Sequence, residues 1–128
     1  MNDDRGQALV LAVLALALAA TTIVGLAAAQ DRILADTHER RAGEAAVEAA
    51  GTSLADALLG SDRSLDALAA DLIVVERSRA AADRLSVMNG GTPVRDLRVD
   101  SVGAGLEVTL TVGKHLHRAA IGTTCCRP

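Results

Sequence analysis

Few residues in this 128-residue chain are of types that do chemistry. His115 and His117 stand two apart in "HLH", a spacing that puts both rings on one face if the stretch is a strand. Two imidazoles facing one way could begin a metal site, but no clear third ligand accompanies them, and zinc sites use three or four. The pair therefore reads as solvated surface histidines, and no metal is expected. His38, within "DTHERR", reads as a residue on the wet face of a helix. Cys125 and Cys126 are adjacent, which suits neither a disulfide framework nor zinc-ligand spacing. They read as an incidental tail or, outside the cytoplasm, as an intermolecular crosslink. The final "CCRP" has the length of a prenylation box without its aliphatic middle.

The remaining candidates are weaker. No serine stands in a G-x-S-x-G elbow. Glu39, Glu44 and Glu48 are interleaved with Arg40 and Arg41, a pattern of helical surface pairing rather than of paired acid–base catalysis. Gly103 and Gly105 fall between two strand-like runs, so they lack the strand-to-helix setting of a phosphate cradle. Phe, Trp and Tyr are all absent. There is thus no stacking platform for single-stranded nucleic acid, and a net charge of −3 offers no phosphate-binding field. The chain reads as a non-enzyme with no catalytic residues, no cofactor, no small-molecule substrate and no nucleic-acid partner.

The elements that carry these residues begin with "ALVLAVLALALAATTIVGLAAA", Ala8 to Ala29, which holds no charge and no proline. Its twenty-two residues give a helix of roughly 33 Å, enough for a hydrocarbon core of about 30 Å. A soluble core helix would need apolar surroundings on every side, and the aromatic-free remainder can hardly supply them. The lipid bilayer is therefore the expected partner. The competing reading is an export signal cleaved between Ala29 and Gln30, after a run of small residues, which would release a secreted binding module. The run is longer than the usual export core of about 7–15 residues, which favours retention. Arg5 precedes the span and Arg32, Arg40 and Arg41 follow it, so charge counting alone does not orient the chain. Ala8, Ala12, Ala15 and Ala19 form a small-residue stripe permissive for close helix contact and self-association.

The helical pattern runs on past the span. The sequence predicts one helix from about Gln7 to Leu59, amphipathic in its second half, with Val47, Leu54 and Leu58 on one face. Gly43 and Gly51 weaken it, each by about 1 kcal/mol relative to alanine where exposed. Gly60-Ser61-Asp62 marks a stop and restart. A second helix through "SDRSLDALAADLIVVERSRAAADRLSVM" would pack back through Leu65, Leu68, Leu72 and Val75 onto Leu54 and Leu58, although "LIVV" also suits a short strand. "NGGTP" is a turn or linker. Beyond it the period becomes two: Leu97 and Val99, then Leu106, Val108, Leu110 and Val112, around a three-residue turn at Gly103–Gly105. A third strand near Leu116 to Ile121 is compatible with the pattern. The expected fold class is α+β, with a small antiparallel sheet. The expected organisation is a leader at 1–7, a membrane helix at 8–29, a helical hairpin at 30–88, and a β region with tail at 89–128.

This layout resembles the TadE/TadG-like proteins, pseudopilin-related components of tight-adherence (Flp-type) pilus systems, and the actinobacterial TadE-like branch in overall style. The residues that carry the resemblance are "RGQALV", the alanine-leucine span, "RRAGEAAVEAAGTSLADAL" and "NGG…LRVDSVGAGLEVTLTV", together most of the region from residue 5 to 113. The resemblance implies a pilin-like fold, a single-pass membrane subunit with its carboxyl part extracytoplasmic, and partners among pilus or secretion-system subunits. Processed pilins are cut after a leader glycine and carry a glutamate at the fifth mature position. Cleavage between Gly6 and Gln7 would put Leu11 there instead, and leucine cannot pair with a neighbour's freed amino terminus. An unprocessed, anchored role fits these residues better.

Overall fold

An alanine- and leucine-rich sequence with no proline before Pro93 can keep its backbone hydrogen bonds internal over a long distance. The computed structural model describes the backbone of residues 3–122, with side chains from residue 6 onward. Its first element, α1, is one helix over Asp3–Leu59, so the expected leader is already helical at Asp3 and Gly43 and Gly51 do not interrupt it. The helix closes with the Gly60 amide donating to the Asp56 carbonyl at 3.1 Å. By compactness the chain divides after Asp36 into two units. In the first unit every described side chain up to Ala35 is exposed.

The second unit holds the core. Here α1 buries Ala42, Ala46, Ala50 and Leu54 along one row and Gly43, Val47 and Gly51 along the next. These rows step by four residues, the spacing of neighbours on one helix face. Because most of them are alanine or glycine, other elements can approach the helix closely.

The single second helix expected from the sequence is two helices. α2 covers Leu65–Ala69 and α3 covers Leu72–Met88. Two local caps make the break. The Ser64 hydroxyl accepts from the Ala67 amide at 3.3 Å, and the Asp71 carboxylate accepts from Ile73 at 2.9 Å and from Val74 at 3.4 Å. Each cap offers orphan amides a partner that a continuing helix would have replaced with carbonyls. "LIVV" therefore opens α3 and forms no strand. The anticipated seam is only partly formed: Leu68 is buried, Leu65 is half-buried, and Leu72 is 78% exposed. On the α1 side Leu54 is fully buried and Leu58 only half-buried. α3 instead faces the core through small residues, Ser78, Ala82 and Ser86. The Ser78 hydroxyl donates to Val74 carbonyl at 2.9 Å and reaches the Ser53 hydroxyl of α1 at 3.4 Å.

"NGGTP" is pinned rather than a free linker. Asn89 ends α3, with its side chain donating to the Leu85 carbonyl at 2.7 Å, and Gly90 takes φ 77°, the left-handed cap conformation that glycine adopts without strain. The Ser86 hydroxyl donates to the Thr92 carbonyl at 2.6 Å, and the Val94 amide donates to Asp83 at 2.6 Å.

Three strands follow: β1 (Arg95–Val102), β2 (Gly105–Val112) and β3 (His115–Gly122), an antiparallel sheet in the order β1-β2-β3. The first turn has two residues rather than the expected three, since Val102 pairs with Gly105. Gly103 at φ 59° and Gly113 at φ 58° each open a two-residue turn, the position where a type II′ hairpin takes glycine. A bulge in β1 sets two residues, Asp96 and Leu97, against Leu110, with Asp96 at φ 52°. That extra residue shifts the alternation, so Val94 and Leu97 are both buried while Arg95 faces out. The inward face of β2, Leu106, Val108, Leu110 and Val112, is fully buried.

Candidate interaction surfaces

The described residues present two surfaces of note, an exposed apolar stretch of α1 and the contact between α1 and β3. The first half of α1 is a rod of exposed apolar residues, among them Leu16 at 77% and Val24 at 69% exposure. Its two hydroxyls turn back on their own helix: Thr21 donates to Leu18 carbonyl at 2.9 Å and Thr22 to Ala19 carbonyl at 2.8 Å. Neither needs water, the condition for a polar group in hydrocarbon. The helix is long and apolar enough to cross a membrane, and an amino-terminal signal sequence would meet the same criterion. Gly6, Gln7, Leu11, Ala29 and Gln30 are all exposed on it, so both processing positions considered above lie within continuous helix.

The second surface is where β3 meets α1. His117, Ala119 and Ile121 share one strand face, all half-buried. The His117 ring occupies the space where a side chain at Gly43 would stand: a Cβ there would overlap Nε2, Cδ2 and Cε1. Two turns further along α1, a Cβ at Gly51 would meet Ile121 at an ordinary 3.7 Å. The Glu39 carboxylate lies over Gly113 in the turn leading into β3, so a Cβ there would require Glu39 to swing aside. The histidine pair is thus not simply solvated. His117 Nε2 is buried with no hydrogen-bond partner among the described residues, and His115 stands edge-on, ring centroids 6.4 Å apart. Burial holds the His117 pKa below the ordinary imidazole value; His115 and Arg40 lower it too, and Glu44 opposes them. The signals for this contact were present in the sequence, in a glycine mid-helix and in the shared phase of His117 with Ile121, but nothing there paired them.

Other exposed features are smaller. Leu59, Leu72 and Ile73 remain exposed where α1 ends and α3 begins. A shallow cleft of about 250 Å³ lies at the Val102–Leu106 turn beside Ala120 and Ile121, apolar apart from Glu107. On the outer sheet face Arg118 pairs with Glu107 at 3.4 Å. No cluster of three or more His, Cys, Asp or Glu occurs among the described residues. Cys125 and Cys126 lie outside them. No family model, curated protein or solved structure matches the chain.

Proposed function

We propose that this chain is a non-enzymatic, single-span membrane protein of TadE/TadG-like character. It would assist the assembly or anchoring of a Flp/Tad-type pilus or a related secretion apparatus. The observation that supports this reading is α1 itself. It is one uninterrupted helix whose first half is apolar and exposed, and whose second half is narrowed by alanine and glycine to receive a three-stranded sheet. In this reading Ala8 to Ala29 lies in the bilayer, and residues 37–122 stand outside the cytoplasm and present sheet and helix surfaces to partner subunits. The membrane role rests on the helix; the pilus role rests on the resemblance in layout.

A second reading is favoured by one observation: residues from Thr37 onward form a compact unit with a core of their own. Cleavage after Ala29 would leave that unit as a secreted binding module. Membrane fractionation of cells with intact-mass measurement separates the two. The anchored reading expects the full chain in the membrane fraction and a protease-accessible carboxyl region on intact cells. Recovery of a soluble product shortened by about 29 residues, the size set by small-residue cleavage after an export core, would refute it. Recovery of partner subunits of a pilus platform by crosslinking from the native membrane would test the assembly role.

A further inference from the structure

Among the described residues, Ser61 Oγ, Arg79 Nε and His117 Nε2 are buried without a hydrogen-bond partner, and of the three only an imidazole ordinarily titrates near neutral pH. Nε2 is buried against α1 with no acceptor, so a proton on that nitrogen would have nothing to bond. The lower-energy neutral form is therefore the one with the proton on Nδ1 and a bare lone pair on Nε2. Charging the ring demands the missing Nε2 proton, in a position already desolvated. The charged and titratable groups around it are mixed. α1 contributes Glu39, Arg40 and Glu44; β3 contributes His115, and Lys114 stands in the turn before it. β2 offers only apolar side chains on its inward face, with Leu110 directly opposite His117. Glu44 favours the charged ring, but burial, His115 and Arg40 act against it.

We propose that His117, seated in the notch left by Gly43, is an acid-sensitive latch: neutral, it holds β3 against α1, and charged, it releases that strand. The sign follows from proton linkage. The opened form has an ordinary imidazole, with a pKa of about 6.5, and binds the proton more tightly than the docked form. Docking is at full strength above that value and weakens as pH falls through it, by about tenfold in the docking equilibrium for each pH unit separating the two pKa values. The latch lies wholly within residues 37–122 and does not depend on the membrane reading.

The test uses the full chain in mild detergent. Hydrogen exchange of the β3 amides, corrected for intrinsic pH dependence, is compared at about pH 7.5 and about pH 5, a window that brackets imidazole titration. The wild type is set beside His117→Leu and His117→Gln, neither of which titrates, and imidazole ¹⁵N shifts report tautomer and charge. The expected result is an Nδ1–H tautomer at neutral pH and a loss of β3 protection on acidification that sets in as pH falls through the ordinary imidazole range. At least one variant, Gln serving where Leu does not seat, should keep its protection across the same window. The latch is overturned if His117 charges with β3 protection unchanged, if the neutral ring carries its proton on Nε2, or if both variants show the wild-type acid loss.

Discussion

Two glycines eight residues apart in the same helix have opposite roles. Gly43 is required by contact, because any larger residue there displaces the His117 ring; Gly51 has room to spare beneath Ile121. Gly43→Ala should therefore destabilise the body by about 1–3 kcal/mol, the usual cost of overpacking, despite the better helix former. Gly51→Ala should stabilise it by up to about 1 kcal/mol through helix propensity alone. Denaturant titration of the full chain in detergent, followed by hydrogen exchange in β2, measures both, and equal effects would contradict the packing described. At Asp96 the constraint is in the backbone. Its φ of 52° suits Asp, Asn or Gly and penalises a β-branched residue, so Asp96→Val should cost about 1–2 kcal/mol while Asp96→Asn should be near neutral.

Among the elements, the α2–α3 junction depends on a carboxylate. Hydrogen bonds from the Ile73 and Val74 amides, with Arg63 alongside, keep the Asp71 pKa below the ordinary value. Because the folded pKa is the lower one, the cap's contribution is complete above the unfolded value of about 3.9 and is lost as pH falls through the folded value. Amide exchange at Ile73 and Val74 should accelerate in that acid range, and Asp71→Ala should produce the same acceleration at neutral pH. Elsewhere the core depends on few large side chains. Leu54 is fully buried in the core cluster, so Leu54→Ala should cost about 2–5 kcal/mol, whereas Leu72→Ala, at an exposed position, should change stability by less than about 0.5 kcal/mol. That contrast separates the seam suggested by spacing from the packing that forms.

For the whole molecule, the proposed membrane role turns on the transfer of α1's apolar half into lipid. Leu18→Arg places a charge near the middle of the span, at a cost of about 2.5–3.5 kcal/mol on the insertion scale. It should shift the chain from the carbonate-resistant membrane fraction toward the soluble or degraded pool. Thr22→Val should leave partition unchanged, since that hydroxyl already bonds to its own helix. A Leu18→Arg chain retained as firmly as the wild type would remove the basis for the bilayer assignment.

The sequence by itself determined the elements, because periodicity is a local property. The unbroken α1, the change to period two after Pro93 and the three strands all follow from the spacing of Leu, Val and Ala and from turn glycines. It also held, unread, the three-residue step from Val94 to Leu97 that signals the β1 bulge. The tertiary structure decided what no spacing within one element encodes. Leu72 was left facing outward while Leu68 was buried, and the histidine of "HLH" found a glycine more than seventy residues earlier in the chain. Such pairings join faces from distant segments, and their energies exist only once the sheet lies on the helix.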